Sequence, residues 1–350
     1  MTNNNKKMSF HQAGFSLVEI LVGLVIGLLA TLVIMQVFSV FEGQKRSTSS
    51  SADAQTNGSI ALYNMQRDMQ MAGFGLPMPM ADVVNNSLLC NPSPANLFPV
   101  VIQNGVAGAS DIVTVRYSTN ALGAIPVKIT NTANAIAPAA GLAVDNNIGC
   151  NDGDVVLISQ GASCVMTTVA DANGNPDTLV NISLTTLLGT PINVGDKLTC
   201  MGNWQNYRYE VVNNQLLLNG TPVVGEIVNL QAQYGISDSA NSNQVKEWVN
   251  ATGIWAATAT TPTVANRNRI KAIRIVAVAR NGLREKEIVT NTCTTSKGTV
   301  NNGPCAWDDT DFDAAPSIDL SADANWQNYR YRAFETIIPL RNMLWSKDSL

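Results

Sequence analysis

The sequence has a single histidine, His11, and it lies ahead of the long apolar run near the N-terminus. A Ser-His-Asp triad, a Cys-His dyad and a His-ligated zinc site therefore have no histidine to use in the rest of the chain. Charge is scarce as well: 14% of the 350 residues are Asp, Glu, Lys or Arg, against about a quarter in ordinary soluble domains. The formal net charge is −4, so there is no basic excess of the kind a nucleic-acid partner requires. No CxxC pair and no glycine-rich phosphate loop occurs. These gaps argue against an enzyme. In place of charge the chain carries Asn, Thr, Ser and Ala, a texture that suits β-rich domains outside the cytosol.

Long apolar runs are confined to one place. Phe15 to Phe41 is interrupted only by Ser16, Glu19, Thr31, Gln36 and Ser39 among polar types. At about 1.5 Å per residue such a helix spans a bilayer core. Lys6 and Lys7 precede it and favour a cytoplasmic N-terminus. The run is too long for a cleaved secretory signal, and VFEGQKR follows it in place of an A-x-A site. An ordinary signal anchor leaves Glu19 without a reason, because a carboxylate in hydrocarbon costs about 2.5–3.5 kcal/mol or more.

Gly14, Phe15, Ser16, Leu17, Val18 and Glu19 form the pattern G-F-S-L-V-E-x-L behind a short basic leader. This resembles the class III signal of type IV pilins and type II secretion pseudopilins. The resemblance implies removal of residues 1–14 by a prepilin peptidase, cleaving after Gly14 on the cytoplasmic face. It also implies N-methylation of Phe15 to give N-methylphenylalanine. Cleavage exposes a positive amine on Phe15, and Glu19 lies at i+4 on the same helix face. Pairing of the two, within a subunit or between neighbours, sets axial register in an apolar bundle. Gly23 and Gly27 form a GxxxG that permits close helix approach. Many major pilins have a proline where this chain has Gln36, so a proline kink is unavailable there.

Leu62, Met65, Met69 and Ala72 recur at helical spacing, and Gly73, Pro77 and Pro79 end the pattern. A long helix over 15–73, with its transmembrane part at 15–41, is therefore expected. A β-rich head over 74–350 follows, with strands at 111–117, 154–159, 178–185, 207–212, 270–279 and 329–338. The fold class is α+β: a pilin-like helix packed on an antiparallel sheet, with an insertion over about 85–200. The hexapeptide WQNYRY occurs at 204–209 and 326–331 and reads as two similar strands that could lie adjacent in one sheet. An aromatic-basic contact platform is the other reading. The stretches QRDMQMAGFG, YEVVNNQLLLNG and the P-L-R-N ending after YRYRAFETII resemble PilW-type minor pilins. The likeness is strongest over 15–75, weaker over 204–235 and 270–345, and silent over 85–200.

Asp171, Asn173, Asn175 and Asp177 alternate like the start of a calcium loop, but Pro176 and Ile182 replace its glycine and glutamate. Asp309, Asp311 and Asp313 offer a second oxygen-rich turn. Solvated turns have the same composition, and no cofactor is expected. Arg267, Arg269, Lys271 and Arg274 form a basic cluster over a predicted strand; in an acidic chain it is a weak pointer to DNA. The six cysteines, 90, 150, 164, 200, 293 and 305, allow up to three disulfides in an exported chain. One arrangement joins Cys293 to Cys305, Cys164 to Cys200 and Cys90 to Cys150.

The function expected from the resemblance is a PilW-like minor pilin. It would be held in the inner membrane by one helix with a periplasmic head, then pass to the pilus tip. Its partners would be other minor pilins, the major pilin and a PilY-type tip adhesin, with no nucleic acid. A minor pseudopilin of type II secretion and a surface binding module are the alternatives.

Overall fold

The computed structural model describes Gly14 and residues 16–76, 89–91, 98–120, 125–131, 141–160, 163–172, 180–184, 192–258 and 262–344. Phe15 and the leader residues 1–13 lie outside the described residues.

Helix α1 (Leu17–Met71) is followed by β1 (Leu89–Asn91), β2 (Val100–Gln103), β3 (Ile112–Ser118), β4 (Pro126–Asn131), β5 (Leu142–Val144), β6 (Val155–Gln160), β7 (Ser163–Asp171), β8 (Val180–Leu184) and β9 (Lys197–Cys200). Then come β10 (Trp204–Val212), β11 (Gln215–Leu218), β12 (Thr221–Gly225), β13 (Ile227–Ile236), β14 (Glu247–Val249) and the single turn α2 (Val264–Arg267). The chain closes with β15 (Ile270–Arg280), β16 (Cys293–Thr294), β17 (Val300–Asn301), β18 (Tyr331–Pro339) and α3 (Arg341–Leu344). It divides into two compact units, Met1–Ser51 and Ala52–Leu350.

In the first unit the helix starts where the N–H groups of Glu19 and Ile20 donate to the Ser16 carbonyl at 3.0 and 3.2 Å. No proline interrupts it. The β-hydroxyls are accommodated by bonding back up the helix, as Thr31 Oγ1 does to the Leu28 carbonyl and Thr48 Oγ1 to that of Gln44. The helix runs through the serine-rich stretch after residue 46 without a break.

In the second unit two sheets and the end of α1 enclose the main core. One sheet has the order β14-β13-β15-β18 and the other β12-β11-β10-β3-β2. The helix contributes Ala54, Ala61, Met65 and Met69, and Ala72 follows in the turn after it; the sheets contribute Ile102, Val113, Tyr209, Tyr234, Ile273, Ile275 and Ile338 among others. Strand β15 is buried along its whole length because its second face is covered too. Val276 and Val278 pack there against Ala306, Ile318, Leu320 and Trp326.

The expected insertion is a separate barrel. Strands β7-β6-β9-β4-β5-β8 pair in that order, β8 returns to β7, and β1 adds to β7 in parallel. Alternate residues along the strands point inward: Val127 and Ile129, Leu142 and Val144, Val156 and Ile158, Leu198 and Cys200. Closure leaves the ring itself without a free edge. The barrel grows out of a hairpin: Ser118 on β3 pairs with Trp204 on β10, and residues 119–203 run between them. Asn120 fastens its neck, its Nδ2 donating to the Gly149 and Cys200 carbonyls at 2.7 Å each.

Two expectations are corrected here. Cys293 bonds to Cys305 as expected, but Cys150 bonds to Cys200. The Cys150–Cys200 bridge excludes the arrangement Cys164–Cys200 with Cys90–Cys150. Its geometry follows from the barrel: Cys200 ends β9 and Cys150 precedes β6, with their Cα atoms 5.2 Å apart. The β1–β7 register sets Cys90 opposite Cys164. The repeated hexapeptide also takes two structures. Its first copy is the strand β10, held by β3 and β11 on either side. In the second, Trp326–Asn328 is a 3-10 turn whose Trp326 N–H donates to the Asp323 carbonyl at 2.9 Å. Trp326 is buried under β15, so its indole is core and the two copies lie in different surroundings.

Candidate assembly surface

The first unit presents an uncovered apolar helix. Leu17, Val18, Ile34, Met35 and Phe38 all stand exposed along it. Leu17 to Phe41 is about 37 Å of helix at about 1.5 Å per residue. An apolar surface that long and continuous belongs in lipid or in a bundle of like helices. Glu19 falls in the first turn of α1, where the helix dipole favours an acid. A Cβ built on Gly23 or Gly27 meets nothing within 4 Å, so both leave the backbone open to close approach. The only ion pair described on this stretch is Arg46 with Glu42, at 3.2 Å.

In the second unit the same helix becomes a seated one. Ala54, Gly58, Ala61, Met65, Asp68 and Met69 are buried along one face. A Cβ on Gly58 would come within 2.1 Å of the Phe334 ring, so only glycine lets β18 lie this close. Asp68, an apparent polar interruption in the sequence, is 1% exposed and accepts the Tyr209 hydroxyl at 2.6 Å. Arg67 reaches over it from the surface at 3.1 Å. Burial and the bond to Asp68 raise the Tyr209 hydroxyl well above its ordinary range. The helix end is closed by the last turn of the head. Leu340 is fully buried, and Asn342 Nδ2 donates to the Ala72 and Met71 carbonyls at 3.1 and 3.3 Å. The Met71 carbonyl also accepts the Phe74 N–H at 2.9 Å, so Asn342 adds a side-chain donor to the turn that ends the helix, and the P-L-R-N ending is a cap delivered from far along the chain.

The basic cluster is interior. Lys271 and Arg274 are each 4% exposed and Arg267 is 6%. Arg267 stacks over Phe98, Arg269 over Trp255, and Arg274 between Trp248 and Trp307 at 5.1 and 4.6 Å. Arg274 also donates to Gln233 Oε1 and the Ala314 carbonyl, and burial pushes it down to about 10. These guanidinium groups fasten sheet to covering loops and offer no basic face.

Of the calcium candidates, Asn173, Asn175 and Asp177 lie outside the described residues, and Asp171 ends β7. Asp309 accepts from Thr295 and from the Ala315 N–H, Asp311 pairs with Lys297 at 2.6 Å, and Asp313 accepts from the Trp248 N–H at 2.8 Å. Each carboxylate thus holds a different part of the loop. Among the described residues no group of three or more His, Cys, Asp or Glu side chains comes together as a metal site.

Sequence comparison bears on both halves. The family described as Type IV Pilus-assembly protein W matches residues 194–342. The prokaryotic N-terminal methylation motif matches residues 9–35. No curated protein and no solved structure matches the chain. The first match takes in both sheets' strands from β10 onward, the WQNYRY copies and Asn342; the second takes in Gly14, Phe15, Glu19, Gly23 and Gly27. Together the two matches support a type IV pilin of the PilW type, with its N-terminal helix as a membrane anchor.

Proposed function

We propose that this PilW-type pilin joins other minor pilins in the complex that primes the pilus, and that it stays at the tip. Before assembly it is held in the inner membrane with its head in the periplasm. A prepilin peptidase removes residues 1–14 after Gly14, and Phe15 is methylated. On extraction the apolar helix packs with the helices of neighbouring subunits, where Glu19 meets a Phe15 amine and fixes register. The head selects neighbours, including the major pilin and a PilY-type tip adhesin.

The observation that carries this reading is the pairing of the two family matches on one chain, at opposite ends of α1 and the head that caps it. The methylation motif coincides with the exposed apolar helix, and the PilW match ends on Asn342, which closes that helix. The disulfides support an oxidising compartment for the head.

Deleting the protein in its own bacterium tests the reading. The expected result is loss of surface pili with secreted hydrolases unchanged. Normal pili with lost secretion would place the protein in a type II secretion apparatus instead.

A further inference from the structure

Natural sheets blunt their outer strands, because an unpaired row of N–H and C=O groups invites another chain. Most edges here are blunted. Strand β14 has three residues and β1 has three. Strand β12 carries Pro222, and its register breaks between Leu216 and Leu217. Strand β2 has four residues, and the Tyr234 hydroxyl already occupies the Ile102 N–H at 2.8 Å.

Strand β18 is the exception. It runs nine residues, pairs with β15 without a bulge, contains no lysine, and has its only proline at its last position. Among the described residues nothing pairs with its outer side. The ladder shows which groups face outward. The Leu340 N–H bonds the Lys271 carbonyl and the Asn281 N–H bonds the Arg330 carbonyl, so the even-numbered residues of β18 face β15. Tyr331, Ala333, Glu335 and Ile337 therefore turn both backbone groups to the free edge. The strand is fixed from one face by Phe334 on Gly58 and from the other by Tyr331 and Ala333 on the Trp326 cluster. Its Glu335 and Ile337 side chains are exposed.

We propose that the free edge of β18 receives an extended segment of another pilus subunit, which continues the β14-β13-β15-β18 sheet across the subunit boundary. Backbone pairing at residues 331, 333, 335 and 337 supplies the affinity. An apolar side chain beside Ile337 and a basic one beside Glu335 supply the choice of partner. This rests on the reading of the protein as a pilus-assembly subunit, since that is what provides the second chain.

Proline at an outward position removes one edge donor and leaves the β15 ladder intact; at an inward position it breaks the ladder. The test is Glu335→Pro in the full chain, expressed with the other pilus subunits in place of the native copy. The expected result is a melting temperature close to that of the wild type, with surface pili and co-purifying subunits reduced about tenfold or more. Thr336→Pro should instead unfold the head. Wild-type assembly by a folded Glu335→Pro would overturn the proposal. Should Glu335→Pro lower folding too, amide exchange on the wild-type chain decides: the amides of Ala333, Glu335 and Ile337 must be protected in the purified complex and open in the chain alone. Equal exchange in both would overturn it, as would a Glu335→Cys variant that cross-links only to a second copy of this chain. Pili lost on deletion but normal with Glu335→Pro would sink the edge and spare the pilus reading; pili normal on deletion would sink that reading.

Discussion

Tyr209, on a strand of the five-stranded sheet, donates its phenol hydrogen to Asp68 on the helix at 2.6 Å, and both side chains are almost wholly buried. This single bond ties the end of α1 to the sheet across a sequence distance of 141 residues. A buried carboxylate that loses its donor keeps its full desolvation cost. Tyr209→Phe is therefore expected to destabilise the head by about 1–3 kcal/mol, read as the shift in urea midpoint of the full chain in detergent. An unchanged midpoint would show that the bond does not hold the helix.

Gly58 and Phe334 define how near the helix lies to β18. Gly58→Leu has no room beneath the ring and should lift the helix from the sheet, exposing Tyr209 and Asp68. Because Gly58→Ala and Phe334→Ala act on one contact, their effects should combine non-additively, with the double variant more stable than the sum predicts. Simple additivity would argue that the ring moves aside freely.

Asp111 accepts the Gly105 and Ala232 N–H groups at 2.7 Å each. Burial outweighs those bonds and pushes its carboxyl from 3.8 up to about 7. Between those values the folded chain binds a proton that the unfolded chain has released. Stability from this group is thus full below pH 4 and declines as pH rises through about 7, a swing on the order of 4 kcal/mol. Comparing urea midpoints of wild type and Asp111→Asn from pH 4 to 8 checks the sign: the wild type should lose ground to the variant as pH rises.

Non-reducing peptide mapping should recover Cys150 with Cys200 and Cys293 with Cys305. It should also recover Cys90 with Cys164, whose backbones are paired in the register of β1 on β7. A Cys90–Cys150 peptide would contradict the barrel's strand order.

Asn342→Ala removes the donor that caps α1 and should cost about 1 kcal/mol, seen as faster amide exchange in the last turn of the helix. Exchange unchanged at Met71 and Ala72 would leave the P-L-R-N ending without this role.

The long helix and most strands could be read from residue pattern, because period-3.6 and period-2 burial are local signals. Met65, Met69 and Ala72 announce the seated face; Gly58 does not, since its reason is a ring on a strand far along the chain. The arginines of 267–274 read as a basic cluster because sequence shows charge and not the Trp248, Trp307 and Phe98 rings stacked on it. The second WQNYRY reads as a strand from its residues, and only the turn after Asp323 and the apolar cluster under β15 decide otherwise. The Cys293–Cys305 pair closes a short loop and was legible, whereas Cys150–Cys200 depended on a barrel closure that no local pattern announces. The residues of the prepilin motif, by contrast, were legible at once, since leader, acid and apolar run are contiguous.

The most direct measurement is to replace Glu19 by alanine in the native bacterium, count surface pili, and follow the head by its disulfide pattern. The account expects few or no pili with the head folded and membrane-held, because the register acid is gone while the seat of the helix is untouched. Full piliation by Glu19→Ala would contradict the assembly role given to that acid and to the helix it begins.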